Sequence, residues 1–408
     1  TQAIHLAKRN EKYIGVIFID LDSFKMVNDT IGHSAGDTVL KEVSQGLEQR
    51  LRKTDTVARF GGDEFLILIR EEEPHKIAEY AQNLKNTIRD RIIVDNMENG
   101  ITVTAGIVQY PSDGDSIDEL LSKADIAMYS AKKSGKNRYL FFDEKMKEKF
   151  NDKINIENAL RKALRNEDFL LLYQPIIETR TGYISSFEAL LRIRGNDISP
   201  EEFIPIAEET GLILPIGKWV IKEAVKQISI WAEKGHRPLP VSINLSPRQF
   251  YDASLVEYIS KILEDYGVDP SLLEIEITEN TFAEKKHEII NILNRLKALG
   301  VIISLDDFGT GYSSLNYLTF MPIDKIKLDK SLKDKFIELE SIKIMDRLIA
   351  LVHGLNLKVV TEGVEEIEEF KRMKRAGSDY LQGYLFSKPI KQEEVEKIFN
   401  KNYMDLLS

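Results

Sequence analysis

The sequence contains no cysteine, which excludes a disulfide framework, thiolate metal sites and a cysteine nucleophile. Any metal chemistry therefore rests on oxygen ligands. No apolar run approaches the ~18 residues that a membrane-spanning helix needs, and the succession of charged, apolar and small residues that marks a secretory leader is missing from the start. Basic residues are not in surplus either: 56 Lys and Arg stand against 66 Asp and Glu, a net charge of −10. Both the first 150 residues and the remainder are acidic, so no nucleic-acid polymer is expected as a partner. What is present, 43% hydrophobic and 30% charged residues, is the composition of an ordinary globular protein. At roughly 100 to 200 residues per domain, 408 residues fit two compact units. The first residue is Thr1 rather than Met, and the expectation is a piece of a longer chain.

Over the first 142 residues the pattern alternates between strands and helices. Strand signals are Tyr13 to Ile19, Thr56 to Phe60 and Phe65 to Ile69, the last two joined across Gly61-Gly62 as a hairpin, and Ile101 to Tyr110. Helical patterns fill Gly36 to Leu51, Glu73 to Ile92 and Ser116 to Lys133. These predict a compact α/β unit with a mixed sheet. Asp143 to Leu164 is charged, helix-prone and free of Gly and Pro, which predicts a helical connector, with the domain boundary near residue 147. From Phe169 onward short apolar strands recur, each ending on a polar residue (Gln174, Glu188, Asn244, Glu276, Asp306, Lys327, Glu362, Gln382) and each followed by a helical stretch. One such carboxylate is ordinarily the N-cap of the next helix. A series of them over ~250 residues predicts a (β/α)8 barrel with its site on the carboxyl-terminal face.

In the first unit, Asp20 and Asp22 end an apolar strand, and the hairpin Arg59-Phe60-Gly61-Gly62-Asp63-Glu64-Phe65 sets two more carboxylates at a tight turn. If the strands are neighbours, the carboxylates converge into an all-oxygen site suited to Mg²⁺ with substrate phosphates. The turn glycines let a triphosphate come close to the backbone. Arg59 to Phe65 closely resembles the signature of GGDEF domains, the diguanylate cyclase family, and Asp20 to Asp29 with Gly32, His33, Gly36 and Asp37 is similar to its upstream motif. That resemblance covers residues 1 to 142 and implies condensation of two GTP molecules into cyclic di-GMP. It further implies that Asp20, Asp63 and the Leu21 carbonyl hold one or two Mg²⁺ or Mn²⁺ ions with GTP, with Glu64 beside the metal and base. Asn28 and Asp37 would bind guanine, and Lys25, Lys132 and Lys136 would face phosphates. Arg52 to Asp55 resembles the family's RxxD inhibitory site, where Arg forks onto guanine O6 and N7.

From about residue 150 to 402 the chain resembles the EAL family of cyclic di-GMP phosphodiesterases. The motifs, in order, are Tyr173-Gln174-Pro175, Phe187-Glu188-Ala189-Leu190-Leu191-Arg192, Ser242 to Ser246, Glu276 to Glu279, Asp306 to Gly311, Lys327, Glu362 to Glu365, and Gln382-Gly383-Tyr384. Glu-Ala-Leu alone is ordinary helix composition, whereas the ordered set is highly specific. By this resemblance Glu188, Asn244, Glu276 and Asp306 bind one Mg²⁺ or Mn²⁺, and Asp307 with Glu362 serves a second. Paired divalent ions supply the nucleophile and the charge compensation that phosphodiester hydrolysis needs. Lys327 would orient or deprotonate the attacking water, or stabilise charge, with orientation favoured because a lysine amid carboxylates keeps a high pKa; Gln174, Arg192 and Gln382 would hold substrate, and Glu279 would anchor the Gly309 to Gly311 loop. The implied product is linear 5′-pGpG.

The sequence thus predicts two domains, 1–146 and 147–408, in a homodimeric cytoplasmic module that binds cyclic di-GMP and GTP, with a sensor segment, in some arrangements membrane-anchored, preceding Thr1. The alternative reading is a non-catalytic effector that binds both nucleotides; the complete set Glu188, Asp306, Asp307 and Lys327 weighs against it. An unrelated metal-dependent barrel hydrolase is the third possibility, and the ordered motifs disfavour it.

Overall fold

A computed structural model describes residues 2–10, 12–71, 73, 75–91, 101–282, 285–309, 318, 320–338 and 342–404. The chain divides into two compact units, Thr1–Ile154 and Asn155–Ser408. In the first, α1 (Gln2–Asn10), β1 (Tyr13–Leu21), α2 (Phe24–Thr30), α3 (His33–Glu48), β2 (Thr56–Gly61), β3 (Glu64–Glu71), α4 (His75–Arg91), β4 (Val103–Tyr110), α5 (Ile117–Lys133) and β5 (Tyr139–Phe141) follow in order. The sheet order is β2-β3-β1-β4-β5, antiparallel except for the β4–β5 pair, which is the mixed sheet expected. Central β1 is buried along nearly its whole length because helices cover both faces, so it reads as a continuous apolar run without alternation. Helix α5 begins where predicted, with the Ser116 hydroxyl accepting from the Glu119 N–H and acidic residues in its first turn. The separate helix α2 was not anticipated; seven residues is too short for an apolar period to register. Ile92, the predicted end of α4, lies outside the described residues.

The connector is one helix, α6 (Glu144–Asn166), whose Ile156, Leu160 and Ala163 are buried in the core of the second unit. Then come β6 (Phe169–Glu178), β7 (Ile184–Ile193), α7 (Pro200–Thr210), α8 (Ile213–Glu233), β8 (Val241–Asn244), α9 (Leu255–Asp265), β9 (Leu273–Thr278), α10 (Lys286–Leu299), β10 (Ile302–Phe308) and β11 (Lys325–Leu328). The unit ends with α11 (Lys330–Glu338), α12 (Ile342–Gly354), β12 (Lys358–Thr361), α13 (Ile367–Ala376), β13 (Tyr380–Gln382) and α14 (Gln392–Ile398). Eight strands close into a barrel in the order β10-β11-β12-β13-β6-β7-β8-β9. Seven are mutually parallel where they pair, but β6 runs antiparallel to both β7 and β13. The regular βα repeat is therefore corrected at its first step. The five-residue turn Thr179–Tyr183 is too short for a crossover helix, so β6 and β7 form a hairpin. Gln174 consequently sits mid-strand opposite Glu188 rather than at a strand's carboxyl end.

Barrel strands invert the usual polarity, with charge inward and apolar side chains outward beneath the helices. On β9, Glu274 and Glu276 alternate with fully buried Ile275 and Ile277; on β11, Lys325 and Lys327 alternate with Ile326 and Leu328. Outside the barrel an aromatic cluster locks α8 and α14 to the sheet: Phe187 lies 5.6 Å from Trp231 and 5.4 Å from Phe399, ring centre to ring centre. At the amino-terminal face Asp324 accepts from the Ile303 N–H and Lys297, and Asp379 accepts from the Val359 N–H and Lys358, each stitching a strand to its neighbour. Phe187→Ala removes both of these contacts from a fully buried position and is expected to cost about 3–5 kcal/mol. A denaturation midpoint lowered at unchanged slope would show it, and an unshifted midpoint would contradict the packing argument.

Candidate active site

Seven strands deliver the barrel site. Glu188 comes from β7, Asn244 from β8, Glu276 from β9, Asp306 and Asp307 from β10, and Lys327 from β11; Glu362 directly follows β12, and Gln382 ends β13. Consecutive strand residues normally point to opposite faces, which would separate Asp306 from Asp307. Here the β10–β11 register shifts between Leu305 and Phe308, and Asp307 adopts φ 54°, a left-handed conformation that brings its carboxylate back to the mouth. Two groupings of carboxylates result, Glu188 with Glu276 and Asp306, and Asp306 with Asp307 and Glu362, the ligand atoms in each lying within 4.8 Å of one another. Asp306 belongs to both.

The Lys327 ammonium, 1% exposed, sits among them at 2.7 Å from Glu362, 2.8 Å from Glu276, 3.2 Å from Asp306 and 3.3 Å from Glu188. Burial alone would lower its pKa, but the four carboxylates outweigh burial and hold it far above the ordinary lysine value. In this arrangement Lys327 is a cation. One ammonium cannot neutralise five carboxylates, so protons remain on some of them. Burial pushes Glu276 well up, and also Asp306; it carries Glu362 to about 8 and, with the neighbouring Asp306 charge, Asp307 to about 6. Glu188 alone goes down, because Lys327, Gln382 and Asn244 together exceed its burial cost. Gln382 Nε2 donates to Glu188 at 2.7 Å and to Gln174 at 3.0 Å, Gln174 donates to the Ser387 carbonyl, and Asn244 donates to Glu188 at 2.9 Å. Arg192 is half-buried on the same strand as Glu188. The structure thus unites Gln174, Glu188, Asn244, Glu276, Asp306, Asp307, Lys327, Glu362 and Gln382 at one mouth. Glu279 follows β9 and accepts from the Gly309 N–H at 3.2 Å, at the root of the loop whose remaining predicted member, Gly311, lies outside the described residues.

The donor set fits hard divalent cations. It is all oxygen, it retains excess negative charge, and a buried Glu276 oxygen is left without a hydrogen-bond partner. Sequence reading missed the layer beneath. Glu274, almost fully buried, accepts from Lys325 and Ser304 at 2.5 Å each, and its charge adds to the upward pressure on Glu276. The period-two repeat of charge in Leu-Glu-Ile-Glu and Lys-Ile-Lys was the signal that could have found it.

In the first unit β1 and β3 are neighbours, with Asp20 opposite Glu64 in the register and the Leu21 N–H bonded to the Asp63 carbonyl. Burial raises Asp20 despite Lys132 at 2.7 Å, and burial with Asp20 raises Glu64. Lys132 thus lies against the carboxylate expected to hold metal. Asp22, which the strand-end pattern grouped with Asp20, is instead a buried anchor accepting from Thr102, Thr104 and the Asn137 N–H. That last bond fixes the turn carrying exposed Lys136. Asn28, on α2, packs so closely on Gly36 of α3 that a Cβ there would meet its amide at 2.1 Å, which brings it beside the helix bearing Asp37. Lys25 is exposed at the start of α2. Arg52 stands 2.8 Å from buried Glu71 and over the Tyr80 ring, while Asp55 accepts from the Arg52 N–H and the Tyr80 hydroxyl; burial and Asp55 push that hydroxyl up to about 12.

The EAL domain model matches residues 157–389, more than half of the chain. The chain belongs to the EAL-domain family. A second model, diguanylate cyclase GGDEF domain, matches residues 1–138, so this is a tandem GGDEF–EAL chain. It is 39% identical over 398 residues to the bifunctional diguanylate cyclase/cyclic di-GMP phosphodiesterase MucR of Pseudomonas aeruginosa, covering 97% of this chain and 58% of that protein. It is 34% identical over 403 residues to the cyclic di-GMP phosphodiesterase PdeR of Escherichia coli, covering 98% of this chain and 60% of that one. The chain thus spans little more than half the length of these curated relatives. Among solved structures, the MucR phosphodiesterase in complex with c-di-GMP is similar at a TM-score of 0.56 and 38% identity, over 59% of this chain and 99% of that one.

The raised carboxyls give a signed expectation. A carboxyl whose pKa is raised by folding favours the fold while protonated, and that contribution is lost as pH climbs through about 6 for Asp307 and about 8 for Glu362. A cation displaces those protons, so its binding strengthens with pH. The gain in Tm on adding Mg²⁺ to cation-free protein should grow between pH 5.5 and 8.5. An equal gain at both ends of that range would refute the assignment.

Proposed function

We propose that the barrel hydrolyses cyclic di-GMP to linear 5′-pGpG and that the preceding unit binds GTP and, as a dimer, synthesises cyclic di-GMP. The observation that supports the first part is the pair of carboxylate groupings sharing Asp306 around a protonated lysine. Mg²⁺ or Mn²⁺ ions held by Glu188, Asn244, Glu276 and Asp306, and by Asp307 and Glu362, would supply an activated water and neutralise the phosphoryl oxygens. The chain's own groups do the rest. Water oxygen bonds to phosphorus, the bond to the 3′-oxygen breaks, and that oxygen leaves with a proton. Lys327 keeps the carboxylates from driving one another apart and offers its ammonium to the charge that develops, as its raised pKa requires. Gln174, Gln382 and Arg192 orient the nucleotide, two of them already linked to Glu188 through Gln382.

Glu188→Gln keeps the volume of the side chain but removes a charge that would grip a cation. Turnover should fall by roughly 100- to 1,000-fold, with cyclic di-GMP binding retained through Gln174 and Arg192, followed by chromatography of the products and by calorimetry. Undiminished cleavage would defeat the assignment of the reaction to the Glu188 site, and binding without any wild-type turnover would establish the effector reading instead.

For residues 1–146 the support is the meeting of Asp20, Asp63 and Glu64 at one strand end. Each unit would hold one GTP, and two phosphodiester bonds require the 3′-hydroxyl of each to face the α-phosphate of the other, so two chains must meet. In a Glu188→Gln background, which spares the product, the specific rate of synthesis should rise with protein concentration, and Arg52→Ala should relieve inhibition by added cyclic di-GMP. If Mg²⁺-GTP yields no product at any concentration but alters the cleavage rate in the otherwise wild-type chain, the unit is a GTP sensor. We place the module in the cytoplasm, where GTP is; among the described residues no helix is long and apolar enough to cross a membrane.

A further inference from the structure

A lysine that no motif singled out is fully buried next to the second carboxylate grouping. Lys333, on the first turns of α11, exposes none of its side chain. Its ammonium donates to the Gly363 carbonyl at 2.5 Å and to Glu369 at 2.7 Å, and lies 3.1 Å from Asp334. Gly363 immediately follows Glu362 and has φ 64°, a left-handed conformation in which a Cβ would also strike the Lys330 side chain. A carbonyl turned by such a conformation is held in place here by a buried positive charge. Glu369, in the first turn of α13, in turn accepts from the Glu365 and Glu366 N–H groups, so Lys333 ties α11 to both ends of the segment from Glu362 to α13. The same helix touches the other side of the grouping. A Cβ on Gly309, two residues after Asp307, would collide with Leu332 at 2.6 Å.

We propose that Lys333 is a positioning residue for the Glu362 side of the site, fixing through the Gly363 carbonyl the separation of Glu362 from Asp306 and Asp307. Adjacent residues on α11 thereby brace both loops that carry the second grouping: Leu332 against Gly309, and Lys333 against Gly363. The first grouping, Glu188 with Glu276 and Asp306, stands on strand ends that Lys333 does not touch. The inference rests on the two-cation reading of the site, and its signature is selective: weaker uptake of one ion, not of both.

The test is Mn²⁺ binding to the whole chain, followed by electron paramagnetic resonance and by calorimetry, in wild type, Glu369→Gln and the double variant Lys333→Met with Glu369→Gln. Glutamine preserves the acceptor for Glu365 and Glu366 and leaves Lys333 on Gly363, so the single variant reports loss of the buried ion pair alone. The double variant removes the charge together with its partner, a replacement that leaves no unpaired buried charge and is commonly tolerated. In the double variant one of two Mn²⁺ sites should weaken by about 10- to 100-fold, the range expected when a group supporting a ligand is lost, while the other stays unchanged and Glu369→Gln matches wild type at both. Unchanged affinities in the folded double variant, equal weakening of both sites, or the same loss in Glu369→Gln would each overturn the proposal. A double variant that cannot fold would assign Lys333 to the core and overturn it equally. Wild-type protein that binds fewer than two Mn²⁺ in the barrel would instead defeat the two-cation reading.

Discussion

One buried ammonium holds the catalytic end of the barrel together. Lys327 reaches four carboxylates that the barrel brings together, and like charges at such separations cannot all ionise without compensation. The barrel supplies the compensation in layers. Lys327 is the fixed part; the carboxyls whose pKa is raised, Glu276, Asp306, Asp307 and Glu362, take up protons more readily than free carboxylates, and divalent ions can replace those protons. Beneath lies a second, self-contained pair, Glu274 with Lys325, which keeps the interior neutral at the next level down. Positive charge stabilises a site of this kind, which is why its donor set suits cations.

The scaffold explains how so much charge is tolerated. Strands that bring charge inward also present apolar side chains outward beneath a helix, as Ile275 and Ile277 do on β9 and Ile326 and Leu328 do on β11. The cost of the polar interior is offset by an apolar shell around it. At the mouth, left-handed backbone at Asp307 and Gly363 lies next to the carboxylates, and the amino-terminal face is stitched by pairs such as Asp324 with Lys297 and Asp379 with Lys358.

Much of this was legible in the residues. The carboxylate series from Glu188 to Glu362 was visible because polar residues closing apolar runs stand out against a background of Ile, Leu and Val, and the GGDEF hairpin was visible because Gly-Gly between β-type runs has few other uses. Three things were hidden, each for a physical reason. The reversed direction of β6 leaves no trace in periodicity, since antiparallel and parallel strands share the same two-residue repeat. Asp22 and Asp20 are indistinguishable by spacing, and only the third dimension shows one bonded to Thr102 and Thr104 and the other lying against Lys132. Lys333 reads as one more cation on a charged helix, because burial of a lysine depends on partners thirty residues away.

The direction of β6 has a mechanical consequence. In a barrel of uniformly parallel strands the chain enters at the floor, remote from the chemistry. Here Phe169, the first residue of β6, pairs with Ile193 at the carboxyl end of β7, so the polypeptide arriving through α6 is threaded in at the rim. A pull or twist on that incoming helix acts first on the hairpin that carries Gln174, Glu188 and Arg192. The covalent tether and the Gln174–Glu188 pair thus share the same two strands.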